Sequence, residues 1–178
     1  MEFRQCSIKG LVEITPRVFR DERGLFFESF SEKIFKDNGI EASFVQDNQS
    51  YSIKNVLRGL HFQKAPYGQG KLVRVIKGKA LDIAVDIRKD SPTFGQYESI
   101  ILDSEKSNMF YVPEGFAHGF LALEETILVY KCTNYYNKES ESGIIWNDPD
   151  LNIKWGISNP MISQKDLELG RLKDMKFI

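Results

Sequence analysis

The 178-residue chain has little histidine and little cysteine, two of each. Two cysteines, Cys6 and Cys132, are too few for a disulfide framework, and no Cys/His spacing suggests a zinc cluster. They read as free thiols in a reducing compartment. An excess of either charge is also missing: 24 Lys and Arg stand against 25 Asp and Glu, a formal net charge of -1. That balance argues against a dedicated nucleic-acid surface, which needs a basic excess. It leaves room for a local basic pocket that holds a small anion. No apolar run approaches the ~20 residues of a membrane-spanning helix. The N-terminal stretch MEFRQCSIKG has no apolar run behind a basic segment, so no signal peptide is expected. The expected location is cytoplasmic, without membrane contact.

Hydrophobic residues make up 42% and charged residues 28% of the chain, a composition that can bury a core without staples. No linker or internal repeat interrupts it, so a single domain over residues 1–178 is expected, with a short C-terminal helical extension. Most of the chain reads as short strands broken by turns. In LDIAVDIRK, Leu81, Ile83, Val85 and Ile87 fall on one face, and Asp82, Ala84, Asp86 and Arg88 on the other. KLVRVIKGKALDIAV reads as two strands joined in a hairpin through Lys77-Gly78-Lys79. ESIILD, NMFYVPEGFAHGFLAL and TILVYKCTNYY continue the β-rich pattern. Helix is sparse. SEKIFKDNG is one candidate, with Ser31 as cap and Gly39 as its end, and SQKDLELGRLKDM holds a short helical end. The expected fold is all-β, a sandwich or barrel of the jelly-roll kind with a few short peripheral helices.

Strand alternation raises the functional question. His61 lies in RGLHFQ and shares a face with Gln63. Phe116, His118 and Phe120 share another, as do Lys71, Val73 and Val75, and Leu128, Tyr130 and Cys132. If these faces converge, a mainly apolar cavity would hold two histidines, a lysine and a tyrosine. Three readings of His61 follow. A jelly-roll metal site commonly uses His-x-His, but here the second place is Gln63 and only His118 remains as another imidazole. A lone strand histidine also reads as a satisfied structural group. Against that, Arg58, Lys71, His118 and Tyr130 are all costly to bury without partners. The third reading is acid–base chemistry. Neutral histidine is a base, tyrosine a weak acid, and lysine stabilises an enolate oxygen, which together suit proton abstraction next to a carbonyl.

The motifs FRDERGLFFESF, FVQDNQSYSIKNVLRGLHFQ, GQGKLVRVIKGKALDIAVDIRKDSPTFGQ, YVPEGFAHGFLAL, YKCTNYYNKESESGIIWNDPDLNIKW and ISQKD occur in this order. Together they resemble the dTDP-4-dehydrorhamnose 3,5-epimerase family, the RmlC-type branch of the cupins. The resemblance runs from about Gly10 to Asp166. It implies a jelly-roll barrel in a homodimer that shares N-terminal strands, with a dTDP-sugar substrate and no metal or organic cofactor. The implied reaction converts dTDP-4-dehydro-6-deoxy-D-glucose to dTDP-4-dehydro-L-rhamnose.

By the same resemblance His61 is the base and Asp166 the carboxylate that orients it. Lys71 holds the enolate oxygen, and Tyr130 is the acid on the opposite face. Arg23 and Glu28 match substrate contacts. Gln46 and Asn48 match the thymidine-binding amides, and Tyr136 the ring that stacks on thymine. Arg58, His118 and Lys165 match contacts to the diphosphate and sugar. Glu141 matches a further contact, and Phe19 one made to the other subunit's nucleotide site. Read alone, Arg23 and Glu28 are a surface ion pair of small value, and Gln46 and Asn48 are turn chemistry. Two other functions stay open at this level: a single-site 3- or 5-epimerase of a related sugar, and a non-catalytic sugar-nucleotide-binding module.

Overall fold

The computed structural model describes residues 1–175, so the last three residues of the expected 1–178 domain lie outside it. In chain order the elements are β1 (Glu2–Gln5), β2 (Val12–Thr15), β3 (Phe19–Asp21), β4 (Gly24–Phe26), α1 (Glu32–Asp37), β5 (Gln46–Ser52), β6 (Leu57–Gln63), β7 (Lys71–Lys77), β8 (Lys79–Asp86), β9 (Tyr97–Asp103), β10 (Met109–Val112), β11 (Phe116–Ala122), β12 (Thr126–Cys132), β13 (Glu141–Gly143) and α2 (Gln164–Leu167). A single 3-10 turn, Leu172–Asp174, follows. Six strands pair in the order β1-β2-β10-β7-β12-β5, and five in the order β13-β6-β11-β8-β9. Strands β3 and β4 form a separate ribbon. The architecture is the expected all-β one, with short peripheral helices. No helix among the described residues is long and apolar enough to cross a membrane.

The two larger sheets pack face to face, and from β5 to β13 the chain changes sheet at every step except β8 to β9. This overturns the hairpin expected at Lys77-Gly78-Lys79. Strand β7 lies in the six-stranded sheet between β10 and β12, whereas β8 lies in the five-stranded sheet between β11 and β9. Gly78 has φ +81°, and a Cβ there would stand 2.2 Å from the Glu125 carbonyl oxygen. Glycine therefore lets the chain turn a tight corner between the sheets. Period-2 alternation marks a strand but says nothing about its partner.

Strand β8 is buried on both sides. Ala80, Asp82, Ala84 and Asp86 alternate with Leu81, Ile83 and Val85. Ala80 and Ala84 join Val73, Val75, Leu102, Phe110, Phe116, Phe120 and Leu128 in the core between the sheets. Ile83, Val85, Leu57, Leu60 and Leu121 instead pack beneath the C-terminal segment, against Ile144, Leu151, Trp155 and Leu172. The more apolar face of β8 thus points away from the barrel interior, which leaves the interior face free for Asp82. A third cluster covers part of the six-stranded sheet's outer face. There α1 buries Phe35 against Val12, Ile14 and Met109, with edge-on rings from Phe3 and Phe30 at 5.3 and 4.9 Å. Ser31 stands at the N-cap position as expected, but its side chain makes no capping bond.

Asp86 closes one end of the barrel. Arg88 reaches it through Nε and Nη2, and Ser91 and Thr93 donate their hydroxyls to Oδ2 at 2.6 Å each. Burial alone raises this carboxyl, but those donors outweigh it and hold the pKa at about 2. A depressed carboxyl stabilises the fold above its unfolded value and loses that contribution as pH falls through the folded one. The shift is worth on the order of 2 kcal/mol, lost between about pH 4 and about pH 2. Asp86→Asn is expected to lower the unfolding midpoint at neutral pH and to flatten its fall across that window. Thermal denaturation followed by circular dichroism at stepped pH checks this.

Candidate active site

A cavity of about 540 Å³ opens between the two sheets. The five-stranded sheet contributes Arg58, His61, His118 and Phe120, and the facing sheet contributes Ser50, Lys71, Leu128 and Tyr130. Met161, Ile162, Ser163, Lys165 and Asp166 form the remaining wall. The faces singled out by alternation therefore do converge. Gln63 is the exception. Its amide donates to the Tyr67 and Tyr135 carbonyls and accepts from the Asn137 N–H, which makes it a loop anchor.

Local backbone geometry places His61. His61 and His118 stand directly opposite each other on β6 and β11. These strands approach closely at Gly59, where φ is +119° and a Cβ would lie 2.6 Å from the Gly119 Cα. The Gly59 N–H donates to Asp166 Oδ2 at 3.1 Å, while Asp166 Oδ1 lies 2.8 Å from His61 Nε2. A carboxylate only accepts, so Nε2 carries the hydrogen and Nδ1 is left as the basic nitrogen. Asp166 is 3% exposed. Burial pushes its carboxyl up, but the His61 and Gly59 donors bring the net pKa below the usual carboxylate range. The segment that carries it is pinned: Leu57 N–H donates to the Met161 carbonyl, Met161 N–H to the Asn55 carbonyl, and Ser163 Oγ accepts from Asp166 N–H.

A second pair lies alongside. His118 Nε2 is 2.7 Å from Asp82 Oδ1, and Asp82 is fully buried. Sequence reading did not single out Asp82 as a site residue. The signal was its place with Ala84 on the more polar face of β8, which carries information only once that face is known to point inward. Across the cavity, Lys71 makes no hydrogen bond or ion pair with the described residues, and its Nζ lies 5.8 Å from the centre of the Tyr130 ring. Burial lowers the Lys71 pKa, offset in part by Cys132, Asp82 and Glu141. Burial also raises the Tyr130 phenol, against smaller opposing effects of Asn48 and Arg58. The phenol is therefore protonated at neutral pH and available as an acid.

Arg58 bridges the sheets, donating to Ser52 Oγ and the Tyr51 carbonyl at 3.1 and 3.0 Å. Beside the cavity runs a bonded chain of the other predicted contacts. Gln46 Nε2 donates to Asn48 Oδ1, Tyr136 N–H donates to Gln46 Oε1, and Tyr136 OH donates to Glu141 Oε2. Lys165 Nζ completes it, 2.6 Å from Glu141 Oε1. Phe19, Arg23 and Glu28 are not brought to the cavity within this chain. Phe19 and Arg23 belong to the exposed β3–β4 ribbon, where Arg23 pairs with Asp21, and Glu28 is exposed just beyond it. Among the described residues no group of three or more His, Cys, Asp or Glu side chains is arranged to hold a metal ion.

A jelly roll with an oriented imidazole on one sheet and a half-buried phenol and amine on the other defines an acid–base site for a polar ligand. Comparison with known proteins makes this specific. The family profile described as dTDP-4-dehydrorhamnose 3,5-epimerase matches residues 5–174. An enzyme of that name from Methanothermobacter thermautotrophicus is 52% identical over 171 residues, 93% of this chain and 92% of its own length. One from Shigella flexneri is 47% identical over 99% of both chains. The crystal structure of the 3,5-epimerase RmlC from Legionella pneumophila, in complex with dTDP-4-keto-L-rhamnose, superposes with a TM-score of 0.95. It is 45% identical over 98% of this chain and 94% of that one. The chain belongs to the dTDP-4-dehydrorhamnose 3,5-epimerase family.

Removing the charge that orients His61 tests the geometry. Asp166→Asn is expected to lower turnover at least about a hundredfold while dTDP affinity changes little. Steady-state kinetics with calorimetric dTDP titration reads both.

Proposed function

We propose that this chain inverts C3 and C5 of dTDP-4-dehydro-6-deoxy-D-glucose, giving dTDP-4-dehydro-L-rhamnose. The observation that carries this is the pairing of His61 with Asp166 at 2.8 Å on one cavity wall, with Tyr130 on the wall facing it. A sugar ring held between two sheets presents one face to each. The C4 ketone acidifies the hydrogens on both neighbouring carbons. His61 takes one of these protons, and the C–H electron pair moves onto the C4 oxygen as an enolate. Lys71 stabilises that oxygen. Tyr130 then protonates the carbon from the other face, which inverts it. Exchange with water takes the proton from His61 and returns one to Tyr130, and a second round at the other carbon then completes the reaction.

Arg58, His118 and Lys165 supply the donors that a diphosphate and sugar need, and Arg58 can grip phosphate oxygens in a fork. Gln46 and Asn48 offer amides to the thymine edge and Tyr136 a ring to stack on it, while Glu141, bonded to the Tyr136 hydroxyl, makes a further contact. Phe19, Arg23 and Glu28 complete the neighbouring site in a homodimer. The reading is supported by the ribbon itself, where Phe19, Leu25 and Phe26 are 51%, 48% and 71% exposed. Contiguous exposed apolar side chains mark an interaction surface. The free thiols Cys6 and Cys132 fit a cytoplasmic enzyme.

Proton NMR of the substrate incubated with the enzyme in D2O tests the reaction. Deuterium is expected at both C3 and C5. Entry at one carbon alone would make the protein a single-site epimerase, and no exchange with dTDP still bound would make it a binding module. Tyr130→Phe is expected to slow product formation more than loss of the first hydrogen. For the dimer, Phe26→Asp is expected to yield monomers in light scattering with a raised KM.

A further inference from the structure

Two buried polar side-chain atoms among the described residues have no hydrogen-bond partner, Asp82 Oδ2 and Ser50 Oγ. The other oxygen of Asp82 is engaged by His118. Ser50 has no such arrangement, and it lines the cavity. Its neighbours on the inward face of β5 are all bonded: Gln46 to Asn48, Asn48 to the Cys132 sulfur at 3.5 Å, and Ser52 to Arg58. Packing does not require a hydroxyl here. Leu128 stands directly opposite Ser50, and Leu128 and Phe120 share the cavity wall with it. An alanine would fill the position without leaving a buried donor unpaired.

We infer that the Ser50 hydroxyl is a substrate-binding group that turns into the cavity to hold the C2 hydroxyl of the sugar and thereby sets C3 on the line between His61 and Tyr130. Oγ is closed off from solvent and bonds none of the described residues, so a rotation about χ1 to another staggered well breaks no bond. The position selects the group it binds. Ser50 lies diagonally across the strand pair from Tyr130, whose direct partner is Asn48. On its other side the Arg58 guanidinium bonds Tyr51 and Ser52. On the function proposed above, on which this inference rests, Arg58 holds the diphosphate on C1 and Tyr130 serves the reacting carbons. Between them, on the C3 side, lies C2. Its hydroxyl both donates and accepts, as does serine's. C5 lies across the ring oxygen and has no such tether. Ser50 therefore acts on the C3 step in particular.

The test is deuterium incorporation by wild type and Ser50→Ala, with dTDP-4-dehydro-6-deoxyglucose and with its 2-deoxy analogue. In Ser50→Ala, exchange at C3 is expected to slow about tenfold, the loss of one neutral hydrogen bond, while exchange at C5 changes less than about twofold. Wild type with the 2-deoxy analogue is expected to show the same selective loss, and Ser50→Ala to be indifferent to the missing hydroxyl. The unfolding midpoint is expected to stay level or rise, since no bond is removed from the fold. Equal slowing at both carbons, unchanged exchange, an additive loss with the analogue or a variant that fails to fold would each overturn the role of Ser50. Absence of exchange in the wild type would overturn the function as well.

Discussion

Asp166 ties together parts of the chain that are far apart in sequence. One carboxylate oxygen meets the His61 imidazole and the other the Gly59 backbone, more than a hundred residues upstream. The contact needs β6 to lie against β11 with no side chain between them at Gly59. It also needs the C-terminal segment to return along the edge of β6, where the Val56–Met161 bridge holds it. Were any of these displaced, His61 would remain in the cavity without a fixed tautomer. The apolar cluster beneath the C-terminal segment therefore has a role beyond stability: it sets the position of a charge.

The two sheets divide the chemistry. The five-stranded sheet carries both imidazoles, each against a buried carboxylate, and the six-stranded sheet carries the phenol and the amine. On the roles proposed above, base and acid on facing sheets are separated by the thickness of the ligand. Inversion at carbon needs that separation, because the proton must leave one face and return to the other. The inward face of β8 does not line the cavity: Ala80 and Ala84 pack into the apolar core between the sheets, and Asp82 reaches the site only through His118.

Much of this was legible in the sequence. Alternation in KLVRVIK, FAHGFLA and TILVYKC predicts which side chains share a face, and Lys71, His118, Phe120, Leu128 and Tyr130 of those faces line the cavity. The absence of His-x-His, with Gln63 in the second place, pointed away from a metal reading, and the structure shows that glutamine anchoring a loop. Less legible was anything that depended on partners. Lys77-Gly78-Lys79 looked like a hairpin because a glycine between two strands is common to hairpins and to corners between sheets. Asp82 carried no site signal, because alternation puts it on the more polar face of its strand without saying whether that face points in or out. The C-terminal cover, which buries the opposite face, leaves no local mark on β8.

By itself the sequence determined strand character, the order of the motifs and the inventory of chemical groups, because these are properties of residues and of their near neighbours along the chain. Only the tertiary structure decided which face of β8 lies inside, that His61 meets Asp166 and His118 meets Asp82, and that Ser50 alone on its strand face lacks a partner. The physical reason is common to all three. Each depends on contacts between strands or segments distant in sequence, and a side chain's burial and hydrogen bonding are set by what packs against it, which period-2 alternation does not encode.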